Sequence, residues 1–118
     1  MRYVWSLAAI LCLAVSVARA QDPVKVAANE CKVEFENEQV RVLRWKVGPH
    51  TKNAMHEHPA MVTIALTDGH TRFTMADGTT REVKSKAGQV TWQAAQKHSG
   101  ESLSDKTTEL IQVELKGK

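Results

Sequence analysis

Five histidines, His50, His56, His58, His70 and His98, are the residues of this chain best suited to chemistry. Two of them form His56-Glu57-His58. Along a strand, residues two apart point to the same face. The two imidazoles would then stand a few ångströms apart, a natural chelate for a transition metal. Glu57 would point the other way, to solvent or a partner. The competing reading is a polar rim ahead of a strand, with both rings in a loop and nothing bound. No nucleophile arrangement accompanies the histidines. Cys31 has no histidine close in sequence, and no glycine-rich phosphate loop is present. Lys84, Lys86 and Lys97 read as a solvated surface.

The elements that must position these groups read as short strands, because no segment sustains a 3.6-residue apolar period. Cys31–Phe35 alternates and breaks at Glu36-Asn37-Glu38. Val40–Val47 is the clearest strand, ended by Gly48-Pro49. Val62–Leu66 is followed by the turn Thr67-Asp68-Gly69. Thr71–Met75 meets Ala76-Asp77-Gly78, a hairpin signal, with Thr80–Lys84 as its return. Ala87-Gly88 leads into Val90–Trp92, and Thr108–Leu115 closes the chain. Seven or eight strands with hairpin turns and no helix predict a small all-β sandwich or barrel in one domain.

The first twenty residues read differently. Arg2 is followed by an uncharged stretch from Tyr3 to Ala18, with the apolar run Leu7–Val15 and then Val17-Ala18-Arg19-Ala20. Small residues at 18 and 20 fit the cleavage rule of a secretory leader, and the apolar run is short for a membrane span. The expectation is export, periplasmic or secreted, with residues 1–20 removed, 21–29 a loose arm and 30–118 the barrel. The full chain of 118 residues carries 16 basic and 13 acidic groups; loss of Arg2 and Arg19 leaves 14 against 13, a net of +1. So near a neutral balance gives no electrostatic case for nucleic acid or an anionic membrane. Cleavage also removes Cys12, so Cys31 is then the lone thiol and no internal disulfide can form. A small exported domain without disulfides needs a well-packed core, a metal or a dimer interface. A homodimer is expected, through Val40–Val47 or the arm before Cys31.

The spacing of these features resembles the cupin superfamily of small jelly-roll barrels. The first cupin motif runs Gly, His-x-His, Glu, Gly. Here Gly48, His56, His58 and Gly69 take those places, with two extra residues before His56 and Val62 where the Glu belongs. In the second motif Gly88 fits, Ala94 and Gln96 stand for Pro and Gly, His98 arrives one residue early, and Ser102 replaces Asn. The resemblance spans residues 40–115 and implies a cupin-type jelly roll with a metal held by His56, His58 and His98. Metal-binding cupins typically add a carboxylate, and neither Val62 nor Thr63 can supply one. Three neutral imidazoles would leave a divalent ion (iron, manganese or zinc) with its full charge and open positions, favouring an anionic ligand.

The remaining candidates are secondary. His50 precedes the pair and is a fourth ligand, a substrate contact or a solvated loop residue; His70 follows a turn and is expected to be exposed. Glu101 is three residues after His98 and faces the opposite side of a straight strand, although a bulge would bring it in as the replacement carboxylate. Met61 and Trp92, like Met55, Trp45 and Phe73, read as core, which in so small a barrel is also pocket lining. The resemblance implies a metal-dependent oxygenase or isomerase acting on a small anionic molecule. The alternatives are a non-enzymatic module holding a small ligand, or a metal-free cupin whose pocket is vestigial.

Overall fold

The computed structural model describes residues 21–117, so the expected leader, residues 1–20, lies outside the described residues. Nine strands follow one another: β1 Cys31–Glu36, β2 Val40–Val47, β3 Lys52–His58, β4 Met61–Ala65, β5 Gly69–Met75, β6 Thr80–Ser85, β7 Val90–Gln93, β8 Gln96–Ser102 and β9 Thr108–Leu115. They form two antiparallel sheets, β1-β2-β9-β4-β7 and β3-β8-β5-β6, in the all-β jelly-roll arrangement. Two strands were not evident as alternating runs. β3 (Lys-Asn-Ala-Met-His-Glu-His) and β8 (Gln-Lys-His-Ser-Gly-Glu-Ser) carry few apolar residues because their inner faces hold histidine, glycine and serine.

The hairpin expected at Asp77-Gly78 joins β5 to β6. Gly78 sits at φ +86°, where a residue without Cβ is unstrained, and Asp77 accepts the Thr79 N–H at 2.9 Å.

Residues 21–29, expected as a loose arm, are folded. Asp22 caps one helical turn, α1 (Pro23–Val26), by accepting the Val24 N–H at 3.0 Å. Proline costs nothing in this first turn, where its missing N–H would have no partner. Pro23 is buried, and Ala27 joins Cys31, Leu43 and Trp45 in the hydrophobic core. The Gln21 carbonyl accepts the Glu57 N–H at 3.0 Å, tying this segment to β3.

The register also excludes an edge-to-edge contact through β2. β2 is paired on both sides, with β1 and with β9, so Val40–Val47 offers no free edge. Side-chain direction is unusual in the same sheet. β2 turns Leu43 and Trp45 inward, as its pattern suggests. β9 does the reverse, burying Gln112 and Glu114 and leaving Ile111 and Val113 half-buried on the other side. β4 and β7 follow β9 in register, with Thr63 and Gln93 inward and Val62 and Trp92 outward.

Candidate metal centre

β3 and β8 place the three histidines. His56 and His58 share the inner face of β3, and His98 of β8 pairs directly across from His56. All three are buried, at 1–3% exposure. Their ring centroids lie 4.8 Å (His56–His58), 4.9 Å (His56–His98) and 5.4 Å (His58–His98) apart. One nitrogen from each falls within 4.8 Å of the others. A tetrahedral ion with bonds of about 2.0–2.1 Å spaces its ligand atoms about 3.4 Å apart. Ring movements of under about 1 Å would close the set around an ion, a shift that side-chain rotation supplies.

A bulge in β3 makes this alignment. Asn53 pairs with Gly100 and His56 with His98, so β3 has one residue more than β8 over this stretch. The bulge puts Asn53 and His56 on the same face. The Ala54 carbonyl accepts the His56 Nδ1–H at 2.7 Å. Asn53 Oδ1 accepts the Gly100 N–H at 2.9 Å. A Cβ on Gly100 would sit 3.2 Å from Asn53 Oδ1, which explains glycine there.

Each ring is fixed by a different neighbour. A carbonyl and a carboxylate only accept, so His56 and His58 carry their protons on Nδ1 and direct Nε2 lone pairs elsewhere. For His58 the acceptor is Glu114 Oε2 of β9, at 2.8 Å. Glu114 Oε1 in turn accepts from Arg41 Nε at 2.8 Å, and Arg41 reaches Asp22 at 2.8 and 3.1 Å. This ion-paired chain runs from the cap of α1 through β2 and β9 to the centre. Phe73 stacks on His98 with centroids 4.5 Å apart and planes 21° from parallel. Trp45 packs against His56, at 5.4 Å, and donates its Nε1–H to Gln112 Oε1 at 2.6 Å.

Burial keeps His56 and His98 neutral. Desolvation, opposed by the Ala54 carbonyl and aided by neighbouring His58, pushes His56 down to about 4. Desolvation and the charges of His56 and His58 push His98 down to about 3. Neutral imidazoles are the form that coordinates a metal. Two buried ring nitrogens, His58 Nε2 and His98 Nδ1, have no hydrogen-bond partner among the described residues. The rings border a cavity of about 60 Å³, also walled by Trp45, Phe73 and Gln112.

The other sequence candidates lie elsewhere. His50 is exposed at φ +55°, bonded to Asp105 at 2.7 Å. His70 bonds Glu82 at 3.2 Å. Glu101 borders the cavity, but its carboxylate lies 4.0 Å from the Arg72 guanidinium and outside the three-nitrogen group. Met61 is fully buried and Trp92 is 60% exposed; neither lines this cavity. Val62, at the position of the cupin glutamate, pairs with Val113 and Trp92 on the outer face, while Thr63 bonds Gln93. Sequence reasoning missed Glu114, Arg41 and Asn53. The alternation of β9 held a signal for Glu114, but nothing in the sequence says which of its faces is inside.

Solved structures share this architecture. A cupin domain from Bordetella pertussis Tohama I matches with a TM-score of 0.68 and 21% identity, over 74% of this chain and 92% of that one. A double-stranded β-helix protein from Klebsiella pneumoniae matches at 0.56 and 19%, over 74% and 83%. A cupin superfamily protein from Desulfitobacterium hafniense DCB-2 matches at 0.55 and 12%, over 74% and 76%. The jelly roll is therefore the cupin fold. No family model and no curated protein matches the chain in sequence.

Proposed function

We propose that the protein is an exported member of the cupin superfamily that holds one divalent transition metal through His56, His58 and His98 and uses it on a small anionic molecule. The observation that carries this reading is the pair of partnerless buried nitrogens, His58 Nε2 and His98 Nδ1, within a cluster of three rings. Leaving a buried polar atom unpaired costs about 1–3 kcal/mol, and a metal bond offsets that cost. Arg2, the apolar run to Val15 and Val17-Ala18-Arg19-Ala20 support export.

When bound, the ion supplies Lewis acidity and, if it is iron or manganese, redox chemistry. The chain's own residues do the rest. Glu114 holds the His58 ring in one tautomer and orientation. Trp45 and Phe73 wall the cavity with rings that exclude water. All three donors are neutral, so the ion keeps its full charge towards an anionic ligand. The reaction class is oxygenation or isomerisation. A non-enzymatic ligand-holding role is the second reading. It is favoured by the cavity of about 60 Å³, since one water-sized probe already takes about 10–15 Å³.

Elemental analysis of protein purified without an affinity tag tests the centre. The expected result is one metal per chain in the wild type and none in His58→Ala. Glu57→Ala retains it, because Glu57 is exposed and lies opposite Lys97. Wild-type protein that takes up no stoichiometric metal, even when offered iron, manganese and zinc, would overturn the reading.

A further inference from the structure

A second cavity adjoins the histidine cavity inside the barrel. It measures about 90 Å³ and shares Thr71, Phe73, Leu110 and Gln112 with the wall of the first. The rest of its wall is rich in hydroxyls and amides, among them Thr63, Gln89, Thr91 and Gln93. Thr63 and Gln93 point inward, where a β-sandwich ordinarily packs apolar side chains. A wall of this kind orients a ligand by hydrogen bonds.

Two of its amides have a fixed orientation. The Trp45 indole N–H can only donate, and it meets Gln112 Oε1 at 2.6 Å. Thr63 Oγ1 donates to Gln93 Oε1 at 2.8 Å. The protein engages the oxygen of each amide, so the NH₂ is the end left for a ligand. Gln112 is 8% exposed and borders both cavities, and a donor in such a place calls for an acceptor. The second cavity opens at one seam. β6 and β7 are end strands of their sheets, and Lys84 of β6 and Gln89 and Thr91 at β7 are exposed at its rim. Lys84 is the one charged group of this wall among the described residues.

We propose that the second cavity is a specificity pocket, entered between β6 and β7, in which the amide N–H groups of Gln112 and Gln93 bind an uncharged carbonyl or hydroxyl oxygen of the ligand. This rests on the metal reading above for the ligand's other end, and it names the substrate class as a short oxo- or hydroxy-acid. The carboxylate sits at the three histidines and the second oxygen in the second cavity. Trp45 spans the two places, with its ring 5.4 Å from that of His56 and its N–H on Gln112. The ligand therefore reaches past one indole, the length of a short carbon chain. The donors select an acceptor, and their neutrality selects against a second carboxylate, because a buried charge without an ion partner is costly.

Nuclear magnetic resonance titration of the zinc-loaded protein with three acids of equal carbon number tests the proposal. Valerate has no second oxygen, levulinate has a carbonyl and glutarate has a second carboxylate. Levulinate is expected to bind about ten-fold more tightly than valerate and to move the side-chain amide signals of Gln93 and Gln112. Glutarate is expected to bind no more tightly than valerate. Gln112→Met should bring levulinate to within about two-fold of valerate. Gln93→Met, at a half-buried site, should cut the preference about three-fold and is the reporter should Gln112→Met fail to fold. Levulinate that binds no better than valerate, or that leaves both amide signals unmoved, overturns the proposal. So does glutarate binding tightest, or a preference undiminished in a folded variant. A wild type that takes up no zinc defeats the metal reading instead, and the same preference and amide shifts, measured without metal, then decide the pocket.

Discussion

Glu114→Gln isolates the role of the buried carboxylate behind His58. The substitution keeps the shape of the side chain, which is 3% exposed, and removes its charge. Glu114 accepts two hydrogen bonds, one from His58 Nδ1 and one from Arg41 Nε, each at 2.8 Å. A glutamine has one oxygen and one NH₂ at those places, so one donor must face another donor. If the oxygen turns to Arg41, His58 loses the bond that fixes its tautomer. A hydrogen bond to a charged group contributes about 1.5–3 kcal/mol. Loss of an outer partner of a ligating histidine typically weakens metal binding about 10–100-fold, which is about 1.4–2.7 kcal/mol. The two estimates agree. Competition with a chromophoric chelator at neutral pH should therefore show a metal dissociation constant raised about 10–100-fold. A parallel urea titration of the metal-free protein measures the loss of the ion pair separately. Asp22→Asn, which touches Arg41 and not His58, should lower stability and leave metal affinity within a few-fold. A folded Glu114→Gln that binds metal as tightly as the wild type would refute the argument that this carboxylate positions His58.

The same geometry sets four further outcomes. His56 and His98 titrate in the folded protein near about 4 and about 3, against an ordinary value of 6.5. Between those limits the unfolded chain binds more protons, so metal-free stability is complete above about pH 6.5 and falls as pH drops, by up to ~1.4 kcal/mol per pH unit for each ring. Urea midpoints in the presence of chelator should fall from pH 7 to pH 4.5, less steeply in His98→Gln; a flat profile would contradict the buried neutral state. Metal release should also lag behind the pH of about 6 that ordinary histidines would give. Gly100→Ala brings a Cβ to 3.2 Å from Asn53 Oδ1 and should destabilise the fold by about 1–3 kcal/mol. Asn53→Ala leaves the Gly100 N–H unpaired, and thermal unfolding would show a loss of similar size.

Some of this was legible in the sequence. His56-x-His58 lies on one face because β3 is extended there, and the Asp77-Gly78 hairpin forms because its glycine takes a positive φ. The cupin-like spacing carried His98 to its place opposite His56. What stayed hidden has a common cause. In most domains the apolar face of an alternating strand is the buried one. From Ile111 to Leu115 of β9 the lumen side is polar and the outside apolar, so the usual rule assigns Glu114 and Gln112 to solvent. The bulge that aligns His56 depends on where β3 departs from β8, a long-range register that local pattern does not encode. The turn at Pro23–Val26 is too short for periodicity to register, although Asp22-Pro23 is the cap and first-turn pair that starts it.

The burial of Cys31 beneath Ala27 and Leu43 has a consequence for handling the protein in air. Loss of hydration, reinforced by Glu114, raises its thiol to about 12. At neutral pH only about one side chain in a hundred thousand is then the thiolate, the form that attacks disulfides and peroxides. With 1% of its surface open to solvent, the sulfur is also out of reach of bulky reagents. Cys31 should therefore withstand prolonged storage without reductant, and should not react with Ellman's reagent until denaturant is added.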